Sequence, residues 1–196
     1  MHRDVLIVGA SAAGLATAEA LRNKGYDGRL TLVGDEAHLP YDRPPLSKQV
    51  LSGAWQPERV RLRDDQAIDK LDAELRLGRR AVGLDTAGRK VLLDGGDRVA
   101  FDALVIATGV TPRRLPGDDL EGVHVLRTLD DALALRADLL DGAKAVVVGA
   151  GFLGAEVSGS IVARAALIPA AARAHDERPP RAGGRRLPDV PLRRRA

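Results

Sequence analysis

Short, unbroken apolar runs in this chain alternate with longer stretches in which apolar residues recur every three or four positions. Residues 5–8, Val-Leu-Ile-Val, form the first run, and runs of this kind suit a parallel strand covered on both faces. A glycine-bounded segment follows at 9–14. Residues 12–24 then read as a helix with small residues on one face, stopped by Gly25. Residues 30–33 form a second apolar run. Strand, glycine turn, helix and strand within about 30 residues make one βαβ unit.

Beyond it, residues 35–53 read as a long loop that Tyr41-Asp42-Arg43-Pro44-Pro45 holds extended, with a short helix at 46–51. The pattern predicts a helix over 63–72 and short strands at 75–77, 80–85, 89–93 and 99–101, with Asp94-Gly95-Gly96-Asp97 as a hairpin turn. Residues 103–107 form another buried strand, ending at Thr108-Gly109. Thr128 and Asp131 form a capping box for a helix reaching about residue 140. Residues 144–148 are the next strand. A second glycine turn at 149–154 opens a helix to about residue 162. The expected class is α/β: a Rossmann-like parallel sheet with helices and a small antiparallel meander, followed by the beginning of a second such unit.

Composition adds exclusions. Cysteine is absent, which rules out disulfides, thiolate metal sites and a Cys-x-x-Cys redox pair and fits a cytoplasmic setting. No metal site is expected. The net charge is +3, yet residues 164–196 hold nine Arg against three acids, so the rest of the chain is net acidic. The basic character belongs to the tail, which lacks the fold or interleaved aromatics of a nucleic-acid binder. Arg3 before an apolar run resembles a secretory signal, but Asp4, Gly9 and Gly14 interrupt that pattern. No segment is long and apolar enough to span a membrane.

The glycine turns carry the chemistry. In a dinucleotide fold the first glycine permits a sharp turn, the second lets the backbone approach a pyrophosphate, and the third lets helix and strand pack closely. The helix N-terminus then offers N–H groups to the phosphates. Gly9-Ala10-Ser11-Ala12-Ala13-Gly14 fits, with Ser11 in the middle glycine's place, and Asp35 with Glu36 supplies the acid expected to hold a ribose hydroxyl. Gly149-Ala150-Gly151-Phe152-Leu153-Gly154 is the full pattern. Two such units suggest two dinucleotides and electron transfer between them. The bland alternative is a core whose glycines merely turn the chain.

Leu39-Pro40-Tyr41-Asp42-Arg43-Pro44-Pro45-Leu46-Ser47-Lys48 resembles the signature loop of FAD-dependent ferredoxin reductases, the relatives of putidaredoxin reductase and rubredoxin reductase. Ala107-Thr108-Gly109, Leu126-Arg127-Thr128-Leu129-Asp130-Asp131-Ala132 and residues 149–156 follow in the same order as in that family. The resemblance covers residues 4 to about 160. It implies that NADH (or NADPH) reduces FAD, which passes electrons to a ferredoxin- or rubredoxin-type iron–sulfur protein. It puts Gly9, Ser11, Ala13 and Gly14 at the FAD pyrophosphate, Asp35 and Glu36 at the ribose, Val82 near the adenine, and Arg43, Thr108, Gly109 and Arg127 along the cofactor. It puts Gly149, Gly151, Phe152, Leu153 and Gly154 at the NADH phosphates. Lys48, beside the flavin, and Glu156, reaching back to it, are the implied catalytic pair. The domains implied are an incomplete FAD-binding domain at 1–112 and the start of an NAD(P)-binding domain at 113–163.

Residues 164–196 depart from this pattern. Arg, Ala, Pro and Gly dominate with no surviving period, the composition of a disordered tail. The same mixture arises from out-of-frame translation of a GC-rich gene, so the chain reads as an N-terminal fragment from about residue 161. A genuine basic tail for an acidic partner is the competing reading, and a non-catalytic nucleotide-binding module is the alternative function.

Overall fold

The computed structural model describes residues 3–116, 120–139, 143–162 and 166–168. Strand β1 (Asp4–Val8) leads through helix α1 (Ala12–Asn23) to β2 (Arg29–Val33), which pairs parallel with β1 from Asp4↔Arg29 to Val8↔Val33. After the long loop come a short helix α2 (Asp65–Asp69) and strand β3 (Glu74–Arg76). A meander follows: β4 (Ala81–Asp85), β5 (Lys90–Leu93) and β6 (Arg98–Ala100). Strand β7 (Ala103–Ile106) then returns beside β1. The parallel sheet runs β3-β2-β1-β7, and β4-β5-β6 is a separate antiparallel sheet.

Alternation along β1 explains the layers. Val5 and Ile7 pack with Leu15 and Ala18 of α1 and with Leu30 and Leu32. Leu6 and Val8 point the other way, with Val33, into Val91, Leu93 and Val99 of the meander. A strand covered on both faces requires an unbroken apolar run, and each fully buried aliphatic side chain contributes about 1.5–3 kcal/mol. At the C-terminal end of α1, Arg22 donates to the carbonyls of Leu71, Tyr26, Gly28 and Asp72, which fastens the helix to the segment entering β3.

Three elements differ from expectation. The helix expected over 63–72 contracts to α2, because Asp64 accepts the Ala67 N–H at 2.8 Å at one end and Asp72 turns left-handed (φ 45°) beyond the other. The helix expected at 46–51 is a single π-helical turn, Leu46–Val50, in which the Pro45 carbonyl accepts the Val50 N–H at 3.0 Å. Residues 166–168 were expected to belong to a disordered tail. They form strand β9 (Ala166–Ile168), parallel to β8 (Lys144–Val146), because an apolar Ala-Leu-Ile triplet finds an open strand edge. The remainder of the expected tail, 164–165 and 169–196, lies outside the described residues.

In sequence between β7 and β8 comes α3 (Leu129–Asp138), packed on Tyr41, Leu46 and Val50 of the long loop. Its capping box forms as the pattern predicts: Thr128 Oγ1 accepts the Asp131 N–H at 3.1 Å, and the Asp131 carboxylate accepts the Thr128 N–H at 2.8 Å. Helix α4 (Phe152–Val162) joins β8 to β9 and buries Val157 and Ile161 against Leu51 and Leu139. The second βαβ unit thereby packs onto the loop of the first.

Candidate functional site

Gly9 adopts φ 118°, and a Cβ there would stand 2.1 Å from the Ala107 carbonyl oxygen. Only glycine fits this position, where β1 passes under the end of β7. A Cβ at Gly14 would lie 1.8 Å from the Gly9 carbonyl oxygen, so the turn closes on itself. Gly149 and Gly154 repeat the geometry, with φ 121° and a Cβ–oxygen approach of 2.1 Å, while Gly151 faces open space. Ser11 starts α1 in an extended conformation and makes no side-chain cap bond. The first-turn N–H groups therefore have no side-chain acceptor, and Ala12 and Ala13 are exposed. Such a helix end is suited to an anion.

This end opens into a cleft lined by Gly9, Ala10, Ser11, Gly34, Asp35, Glu36, Arg43 and Thr108. The cleft continues along Arg79, Arg80, Ala81, Gly109 and Arg127, where it encloses about 880 Å³ including its open mouth. Gly34 lets β2 approach the turn closely, since a Cβ there would meet the Ala10 Cβ at 2.8 Å. Val82 is 61% exposed and does not line the cleft; its neighbour Ala81 does. Arg79 and Arg80, which sequence reasoning missed, line the same cleft as Asp35. Arg79 is paired with Asp94 and Asp97, and that pairing holds its guanidinium above its usual pKa.

The two acids after β2 diverge. Asp35 is exposed, lines the cleft and has no ion pair with any described residue. Glu36 turns inward. Its Oε1 accepts from Arg43 at 2.6 Å and its Oε2 accepts from the Tyr41 hydroxyl. Of the two, only Asp35 is left open to the cleft. Arg43 also donates to the Arg127 carbonyl at 2.7 Å and reaches Ser11 Oγ at 3.5 Å. The Tyr41 hydroxyl accepts the Leu129 N–H at 2.9 Å. Burial, then the hydrogen bond to Glu36, pushes the Tyr41 phenol well above its ordinary pKa. Tyr41 stands within the signature loop, but periodicity gives no sign that it is 3% exposed.

A second cluster lies where the units meet. Lys48 Nζ stands 2.9 Å from Glu156 Oε2, and Ser47 Oγ donates to the same oxygen at 2.7 Å. Ser47, then Lys48, holds the Glu156 carboxyl below its usual pKa. Lys48 also donates to the Pro44 carbonyl at 3.3 Å. Beyond the second glycine turn, Phe152 is 95% exposed and Leu153 is also exposed.

The donor set suits a dinucleotide: an open helix end, a glycine turn whose ends no Cβ could enter, an outward carboxylate and several arginines. It offers no metal cluster among the described residues. Nor is any described helix long and apolar enough to cross a membrane.

A family model described as pyridine nucleotide-disulphide oxidoreductase matches residues 3–178. The biphenyl dioxygenase system ferredoxin–NAD(+) reductase component of Paraburkholderia xenovorans is 44% identical over 160 residues, 81% of this chain and 39% of that protein. The p-cumate 2,3-dioxygenase system ferredoxin–NAD(+) reductase component of Pseudomonas putida is 45% identical over 157 residues, 79% of this chain and 39% of its own length. The crystal structure of a ferredoxin reductase from Rhodopseudomonas palustris matches with a TM-score of 0.79 at 39% identity, covering 85% of this chain and 42% of that one. The chain thus spans about two fifths of the length of these curated relatives.

Proposed function

Because the chain belongs to the pyridine nucleotide-disulphide oxidoreductase family, we propose that it is the FAD- and NAD(P)H-binding part of a ferredoxin reductase. The electrons it handles pass to a ferredoxin- or rubredoxin-type iron–sulfur protein. The names of the relatives support this reading, as does the absence of cysteine, since a disulfide reductase needs a thiol pair. The observation that carries it is the pairing of two glycine turns with a Lys48–Glu156 contact at the join of their units.

In this proposal the N-terminus of α1 receives the FAD diphosphate, Asp35 holds the adenosine ribose, and Arg127 lies along the cofactor. Gly149, Gly151 and Gly154 receive the nicotinamide dinucleotide. Bound FAD supplies hydride acceptance and one-electron donation. Lys48 offers a positive charge where negative charge develops on reduction, and Glu156 keeps that ammonium in place.

The test is reconstitution with FAD, then NADH-dependent reduction of ferricyanide. An incomplete FAD-binding domain should hold FAD weakly, so turnover is read per flavin bound, and Lys48→Met should lower it by about 100-fold. Nucleotide uptake without any turnover would favour the alternative, a binding module without catalysis.

A further inference from the structure

We infer that Ser47 is a positioning residue that fixes the Glu156 carboxylate in place opposite Lys48. The inference rests on the reading above for its purpose and on geometry for its content. Ser47 is buried in the π-helical turn at 3% exposure, an unusual place for a hydroxyl unless it is fully used. It is used at both ends. Its hydroxyl donates to Glu156 Oε2 at 2.7 Å, and its carbonyl accepts from the Ser160 hydroxyl at 2.6 Å. Glu156 and Ser160 are one helical turn apart on α4, so a single residue of the first unit grips two rungs of the second.

A π-helical turn is the means. Closing one residue later than an α-turn directs consecutive side chains, Ser47 and Lys48, to the same carboxylate oxygen. A lysine alone is a poor positioner, because its ammonium is a point charge on a flexible stem. A short buried hydroxyl fixes the oxygen's direction. The charged groups facing the cluster are few. Lys48 comes from the turn itself, and on α3, also packed on the turn, Arg136 is spent on the Val50 carbonyl at 3.3 Å. Nothing else charged is set against Glu156 among the described residues.

The experiment follows the carbon-13 carboxyl signal of Glu156 through a pH titration of this chain. In the wild type its midpoint should lie below that of an ordinary glutamate. Lys48→Met should leave it depressed, Ser47→Ala should move it up toward the ordinary range, and Ser47→Thr, which keeps the hydroxyl, should restore it. An ordinary midpoint in the wild type would overturn the inference, as would full loss of the depression in Lys48→Met, whether or not Ser47→Ala folds. FAD uptake is measured on the same samples. A depressed midpoint in a chain that takes up no FAD would overturn the functional reading alone. An ordinary midpoint in a chain that does take it up would overturn the role of Ser47 alone.

Discussion

A methyl group on Gly14 would sit 1.8 Å from the Gly9 carbonyl oxygen, and neither partner can yield, since both are backbone. Gly14→Ala should therefore cost at least the 1–3 kcal/mol or so typical of overpacking, read as a lower urea midpoint, and FAD uptake should fall with it. Tyr41 makes a different kind of demand. Its hydroxyl is the partner of the buried Leu129 N–H, and Tyr41→Phe should cost about 1–3 kcal/mol by orphaning that donor. Burial and the bond to Glu36 raise the folded-state phenol pKa above the unfolded value of about 10. The protonated phenol is thus the stabilising form. Its contribution is complete below pH 10 or so and is lost as the pH climbs further. Denaturation of wild type and Tyr41→Phe in parallel should show a stability difference that shrinks above that pH. A difference independent of pH would contradict the assignment.

The elements are held at their ends more than by their propensities. Thr128→Ala should remove about 1 kcal/mol from α3 by breaking the capping box, visible as a small drop in the thermal midpoint without loss of fold. This box was legible in the sequence because both partners are three residues apart and local. So were β1 and β2, since a strand buried on two faces cannot alternate; β7 was legible as a strand but not in its burial, being only half-buried with Ile106 exposed. The limits of α2 were not legible. They depend on Asp72 turning left-handed and on Arg22 reaching its carbonyl from another helix. Glu36 reads as a second ribose acid beside Asp35, and only the distant Arg43 and Tyr41 draw it inward. The Ser47–Glu156 bond spans 109 residues of chain, beyond any local pattern. The short apolar triplet of β9 was obscured by Pro169 and the arginine-rich composition that follows.

At the scale of the whole molecule the first unit has a two-faced core, yet both units leave apolar side chains exposed near strand ends. Ile106 on β7 is 66% exposed, Val110 73%, Val146 57% and Val148 74%. These residues lie on or just past two edge strands, β7 and β8, and exposed apolar surface at such places favours association. The chain should self-associate with rising concentration in analytical ultracentrifugation, and Ile106→Lys with Val148→Lys should shift it toward monomer. Equal behaviour of the double variant and the wild type would count against this. The two glycine hexapeptides point to something else again. In each, the sixth residue abuts the first residue's carbonyl oxygen, whereas the third residue is a serine in one and a glycine in the other. The hexapeptide is a loop whose span is locked and whose middle is adjustable. Tuning can occur at that middle position with little structural consequence, whereas inserting or deleting one residue would unseat strand and helix together.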